Sequence, residues 1–506
     1  MTPSFPFLIQ DALKFDTAQA LALSGYIAVF IGCCITTLAA VLKRGAFPAF
    51  VAWLAAGASV LGAVCACVFT STEPTFYFSN MFIADNVSSL FQLFFCVLVF
   101  LVVAVSPRYL SQEILHYGEY YALLLFAALG MMLMVGAADL IVLFIALEIM
   151  SLSIYVLVGF RRADRRNNES SVKYFVLGAV ASAFLLYGSS LIYGATGATS
   201  YGAILAFVTQ DGLKSGLFLL GALFVCVGFL FKIASVPFHM WMPDVYEGAP
   251  LPVTAFMATA VKAASFAAFL RFLSFTPGLI QGPFHELFWW LAVVTMFVGN
   301  AVALTQTNLK RLLAYSSIAH TGYLMMGLFT VGFVNSGALL LYLAVYSASA
   351  FGVFVCLMVL GSRGDTKLML SDLEGLGRSR PWLAGALSLF ALSMAGIPPT
   401  AGFLAKYVLF YEVMKAREVS LLVLAVLSSA IGVYVYLRLL VSMYMREPKT
   451  GTQQGGAPIG QKTWWLASAV LVTCAVFIIQ SGVLPSRLLD FVKPKSATVQ
   501  AVGQIR

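Results

Sequence analysis

Apolar runs about as long as a bilayer is thick follow one another along almost the whole chain, and nothing constrains its fold more. A helix needs about 20 mostly apolar residues to cross the hydrocarbon. Only helices and closed barrels satisfy every backbone N–H and C=O there. The runs are continuous rather than alternating, which selects helices. Of the 506 residues, 61% are hydrophobic and 10% charged, where an ordinary soluble domain has about a quarter charged. The expectation is an all-α polytopic membrane protein of about fourteen transmembrane helices. They fall at roughly 20–42, 47–70, 87–106, 119–136, 138–160, 172–195, 215–247, 252–275, 286–304, 310–331, 335–361, 382–414, 418–445 and 463–482. No polar segment is long enough for an aqueous domain, so residues 1–506 read as a single membrane domain. The first run has no basic segment ahead of it and no clear cleavage site, and is expected to be retained.

Two spans are broken, the seventh near Pro237 and the twelfth at Gly396-Ile397-Pro398-Pro399. Five spans separate the two breaks. That spacing predicts two five-helix repeats, 119–275 and 286–445, after three N-terminal spans in 1–118 and before a last span at 463–482. An odd number of helices per repeat turns the second upside down relative to the first, the inverted-repeat plan of transporters.

The net charge is +9, and its placement is orderly. Lys43, Arg44, Arg108, Arg161, Arg162, Arg165, Arg166, Lys173, Lys310, Arg311, Arg363, Lys367, Arg378, Arg380, Arg446, Lys449 and Lys462 occupy one set of loops. Only Lys14, Lys214, Arg271, Lys415 and Arg417 occupy the other, apart from the basic tail around Lys493 and Lys495. The positive-inside rule makes the first set cytoplasmic and puts both termini on the periplasmic side. No basic run is interleaved with exposed aromatics, which excludes nucleic-acid binding. The eight cysteines form no Cys-x-x-Cys pair and read as small buried apolar residues. No histidine–carboxylate cluster has metal-ligand spacing. No phosphate loop or nucleophile triad is present either. Any redox chemistry therefore belongs outside this chain, with no cofactor held here.

Four charges lie at membrane depth: Glu148 on the fifth span, Lys232 just before the first break, Lys262 mid-way along the eighth, and Lys406 just after the second break. Each costs roughly 2.5–3.5 kcal/mol on insertion scales, and such residues mark ion and proton pathways. A structural ion pair is the competing reading. A lysine beside an ionised carboxylate holds its proton and releases it more readily when the carboxylate moves away. A proton path from the Glu148–Lys232 pair to Lys262 and on to Lys406 follows. His320 either is a satisfied core histidine or relays between Lys262 and Lys406. Lys173 reads as a cytoplasmic anchor, with proton uptake as its second role. His239, Asp244 and Glu247 read either as a capped interfacial turn or as an uptake path.

The stretch Val236-Pro237-Phe238-His239-Met240-Trp241-Met242-Pro243-Asp244-Val245-Tyr246-Glu247-Gly248-Ala249-Pro250-Leu251-Pro252-Val253-Thr254-Ala255-Phe256 resembles the signature of the antiporter-like membrane subunits of the proton-pumping NADH:quinone oxidoreductase, respiratory complex I. The turn at Lys262-Ala263-Ala264 and the run Ala395 to Lys406 agree with it. The resemblance implies fourteen helices, two inverted repeats and a polar axis along the midplane. It implies a bacterial inner-membrane protein coupling quinone reduction elsewhere to proton transfer. Glu148 then pairs with Lys232, and Lys262 connects to Lys406. NADH, FMN, Fe–S clusters and quinone belong to other subunits, and the partners are neighbouring antiporter-like and small membrane subunits and the lipid bilayer. Multisubunit Na+/H+ antiporters share this ancestry and are the alternative.

Overall fold

The computed structural model describes residues 17–42, 48–69, 74–330, 337–361, 365, 368–447 and 465–485. Lys14, Lys43, Arg44, Arg363, Lys367, Lys449, Lys462, Lys493 and Lys495, which carry part of the orientation reading, lie outside the described residues. The chain is a multi-pass bundle in which, among the described residues, eleven helices are long and apolar enough to cross a membrane.

A short α1 (Thr17–Ala22) leads into α2 (Ser24–Leu42) and α3 (Pro48–Val68). A small hairpin, β1 (Thr75–Tyr77) with β2 (Phe82–Ala84), then feeds α4 (Asn86–Glu113). Asp85 opens α4 with a capping box: its side chain accepts from Ser88 N, and Ser88 Oγ accepts from Asp85 N. Then come α5 (Glu119–Gly136), α6 (Leu140–Val158), α7 (Arg165–Thr196) and a short α8 (Tyr201–Thr209). Asp139 caps α6 through Ile141 N, so the Gly136–Asp139 stretch is the turn the sequence requires. The hairpin and α8 fill loops in which the sequence pattern shows no element.

The first broken span is α9 (Gly216–Lys232) followed by α10 (Trp241–Gly248). Next, α11 runs from Leu251 to Ser274, buried along all but its last residue, with a π turn at Met257–Val261. It is followed by α12 (His285–Thr305), α13 (Leu309–Met326) and α14 (Gly337–Leu360). A single turn, α15 (Leu376–Ser379), precedes the second broken span, α16 (Pro381–Ala395) and α17 (Ala401–Lys415), and α18 (Val419–Tyr444) and α19 (Trp465–Val483) complete the bundle. Gly396 closes α16 in the left-handed region at φ 83°, where a side chain is disfavoured. Both breaks contain a cis X–Pro bond, Val236–Pro237 and Pro398–Pro399.

Two helices are longer than their apolar runs. Past Pro107, α4 continues to Glu113, and α7 starts at Arg165, ahead of the expected 172. Conversely, α13 is too polar to qualify as a span, because it carries Lys310, Arg311, Ser316, Ser317, His320 and Thr321. Nearly all of these are buried, and the packing of α13 explains it. It crosses α12 so closely at Gly299 that a methyl there would strike the backbone of Ala319.

Candidate functional site

Three lysines and a histidine are buried in the middle of this bundle, Lys232, Lys262, Lys406 and His320, none more than 8% exposed. A buried ammonium carries three donors, and hydroxyls and backbone carbonyls take two from each lysine.

Lys232 is the last residue of α9. Its Nζ donates to Ser151 Oγ at 2.8 Å and to Tyr155 OH at 3.3 Å, both on α6. Glu148, Ser151 and Tyr155 follow i, i+3, i+7 spacing and share one face of that helix. Lys232 therefore rests on the Glu148 face without taking the carboxylate as a direct partner. Glu148 Oε1 is buried and has no hydrogen-bond partner among the described residues. The sequence reading expects a Glu148–Lys232 pair; the structure gives Lys232 the Ser151 and Tyr155 hydroxyls as its partners instead. The carbonyls freed by the break are taken elsewhere. Trp241 Nε1 donates to Phe231 O at 3.0 Å, and Thr321 Oγ1 to Ile233 O at 2.8 Å.

Thr321 also donates to Ser317 O, which accepts from Lys262 Nζ at 2.6 Å. Lys262 follows the π turn of α11 directly and bonds Ser317 Oγ as well. π turns recur at functional sites because they re-aim the side chains around them. Tyr346 on α14 donates to the same Ser317 Oγ at 2.8 Å, and its ring faces the Lys262 ammonium at 5.1 Å.

His320 packs against that Tyr346 ring at 4.9 Å between centroids, the two planes tilted by 45°. Its Nδ1 meets Tyr342 OH at 2.7 Å and its Nε2 meets Tyr436 OH at 3.1 Å. Both ring nitrogens are occupied by groups that can donate or accept, so the imidazole can exchange its tautomer without moving. A small cavity lined by His320, Tyr346, Ser349, Ser393 and Lys406 joins the histidine to the last lysine. Lys406 Nζ donates across the second break to Ala395 O at 2.8 Å and to Ser429 Oγ at 3.0 Å. Its ammonium lies 5.3 Å from the Tyr323 ring centroid.

The structure thus brings Glu148, Lys232, Lys262, His320 and Lys406 into one polar seam. The hydroxyls of Ser151, Tyr155, Ser317, Thr321, Tyr342, Tyr346 and Tyr436 bond the lysines, the histidine or their neighbours. The run Tyr315 to Thr321 carries a signal of this in the sequence, being too polar for an idle membrane helix. Lys173 is not in the seam. It is 44% exposed and pairs with Glu169 at 2.6 Å and Asp244 at 3.0 Å. Arg311 bonds Asp244 and Glu247, so these two carboxylates tie α7, α10 and α13 together. A wide groove lined by Phe91, Phe94, Leu341, Phe351 and Phe477 is apolar and lies apart from the lysines. Among the described residues no group of His, Cys, Asp and Glu could hold a metal ion.

Residues 137–432 match the model of the family described as NADH:quinone oxidoreductase/Mrp antiporter, transmembrane. The NADH-quinone oxidoreductase subunit N of Trichlorobacter lovleyi is 42% identical over 445 residues, 87% of this chain and 90% of that protein. The chain belongs to the subunit N family of NADH-quinone oxidoreductases. The matched region contains all five seam residues. A chain of respiratory complex I from Thermus thermophilus superposes with a TM-score of 0.77 at 34% identity, covering 93% of this chain and 99% of that one. A chain of the Mrp complex from Dietzia sp. superposes at 0.82 with 21% identity, covering 96% and 99%, and shows that the subunit N fold is shared with that complex.

Proposed function

We propose that this chain is a proton-translocating membrane subunit of an NADH:quinone oxidoreductase. It holds no redox cofactor and moves protons through Glu148, Lys232, Lys262, His320 and Lys406. The observation that carries the reading is the seam itself. Three ammonium groups at 3%, 2% and 8% exposure each donate to a hydroxyl, and two also to a backbone carbonyl, and the Thr321 hydroxyl, the His320 imidazole and a small cavity lie along the row. A spacer helix has no use for such costly residues. When Glu148 draws away from the Ser151–Tyr155 face, Lys232 loses its counter-charge and hands on a proton. Lys262, His320 and Lys406 receive it in turn.

Fourteen spans fit this reading: the eleven apolar helices, the two broken ones and the polar α13. Helix neighbours support the inverted repeat. Contacts of α5 with α6, α7 with α9, α9 with α11 and α5 with α11 are matched by α12 with α13, α14 with α16, α16 with α18 and α12 with α18. Both termini then lie on the periplasmic side of a bacterial inner membrane. Glu148 also indicates how partners fit. It follows Ile141 and Ile145 and precedes Leu152 on one face of α6, and those three are 41%, 52% and 51% exposed. A mid-membrane carboxylate does not face hydrocarbon, so a neighbouring membrane subunit covers this stripe.

The test measures protons translocated per NADH oxidised, in the assembled enzyme in sealed vesicles, for Lys232→Ala, Lys262→Ala and Lys406→Ala. A fall in that ratio for all three is expected. An unchanged ratio in all three overturns the reading. NADH-independent sodium/proton exchange by the same vesicles would move the chain to the antiporter alternative.

A further inference from the structure

Arg271, which its position near a span end assigns to a far-side loop, is 2% exposed inside the last turns of α11. Its guanidinium grips Asp85 with both prongs, NH1 on Oδ2 at 2.6 Å and NH2 on Oδ1 at 2.9 Å. Its Nε donates to Val135 O at 3.0 Å, at the end of α5. Asp85 is itself fixed, being 2% exposed and locked in the capping box of α4 with Ser88 N at 2.8 Å. A buried ion pair is a poor way to add stability, and its best-attested use is to fix register. Here it fixes the far end of α11 against α4 and α5.

The near end of α11 is fixed as well. Leu251 N donates to Tyr109 OH at 3.2 Å, and Lys310 Nζ donates to Ala249 O at 2.6 Å just ahead of it. Between the two anchors lies the π turn Met257–Val261, immediately before Lys262. A π turn holds one residue more than an α turn. When it migrates along a helix, each residue it passes advances by one position, about 100° of rotation and 1.5 Å of rise. With both ends fixed, only the residues passed by the turn move, and Lys262 is the first of them. Ala263, Ala264, Ala267 and Ala268 lie in the stretch up to Arg271, whose large side chains Phe266 and Phe269 are fully buried, Phe269 stacked on Phe229 at 4.8 Å.

We propose that Arg271 is a positioning residue for Lys262: held by Asp85, it fixes the register of the far half of α11, so that the π turn is where this helix yields and Lys262 the charged group that turns with it. The inference rests on the relay reading above. The test is the double variant Asp85→Leu with Arg271→Leu, which removes both charges and leaves neither unpaired, studied in the assembled enzyme beside Lys262→Ala. Backbone amide exchange over 263–274 is expected to rise at least tenfold while 251–256 stays unchanged, and protons per NADH are expected to fall toward the Lys262→Ala value. Unchanged exchange overturns the clamp. Faster exchange with an unchanged ratio, where Lys262→Ala lowers it, overturns the positioning role. If Lys262→Ala itself leaves the ratio unchanged, the relay reading fails, and the exchange measurement still decides the clamp. Should the double variant not assemble, Arg271→Lys, which keeps the charge and loses the two-pronged grip, is measured in the same two ways with the same outcomes.

Discussion

The two broken spans carry a lysine each, yet they use it differently. At the first break Lys232 ends the leading helix and turns outward to Ser151 and Tyr155 on α6. The freed carbonyls go to Trp241 and Thr321 instead. At the second break Lys406 begins beyond the gap and reaches back to Ala395 O, the carbonyl end of α16. A helix C-terminus carries partial negative charge, so Lys406 is stabilised by the break itself. Lys232 is stabilised by a neighbouring helix face that also bears Glu148. The first lysine is therefore set by side chains of α6, and the second by backbone of the break together with the Ser429 hydroxyl.

Removing the lysines separates these roles most sharply. Lys406→Met and Lys232→Met are both expected to lower protons per NADH. Only Lys406→Met also leaves a helix-end carbonyl without its donor. A buried unsatisfied group costs about 1–3 kcal/mol. Thermal unfolding of the assembled enzyme should accordingly show Lys406→Met to be less stable than the unsubstituted enzyme by about that amount. Equal stabilities would mean that the second break does not depend on its lysine.

The donors at the first break give the next effect. Thr321→Val withdraws the side-chain donor from Ile233 O and is expected to cost about 1–2 kcal/mol. Trp241→Phe should cost less, since Phe231 O also accepts from Ala234 N at 3.0 Å. Reversal of that order in thermal unfolding would show that the indole contributes through packing, where it stacks on Tyr174 at 4.5 Å.

The breaks and the four buried charges were legible because proline, glycine and charge are all costly in hydrocarbon and stand out against leucine. Their partners were not. Serine and tyrosine enter membrane helices cheaply, and serine can satisfy itself on its own helix, as Ser151 does on Leu147 O at 2.5 Å. Nothing in spacing tells which hydroxyl faces a lysine, so a direct Glu148–Lys232 contact was the natural expectation where Ser151 and Tyr155 are the partners. Arg271 was misplaced for a related reason. It sits near the end of an apolar run, where snorkelling is the default, and its partner Asp85 lies 186 residues earlier in the chain. The polar helix α13 was legible as an element but not as the hub of the seam, because its role depends on contacts with α11, α14 and α18.

Lys173 supplies the smallest effect and the boundary of the seam. It lies near the start of α7 with Glu169 and Asp244, 44% exposed. Exposed ion pairs of this kind are worth about 0–1 kcal/mol and weaken with salt. Asp244 keeps a second partner in Arg311 at 2.9 Å, so the tie between α10 and α13 outlasts the loss of Lys173. Lys173→Ala is therefore expected to lower stability by no more than about 0.5 kcal/mol, with the difference vanishing in high salt, and to leave protons per NADH unchanged. A ratio that falls as far as it does for Lys232→Ala would extend the path to the cytoplasmic surface through Lys173. Asp244 would then be the carboxylate that loads it.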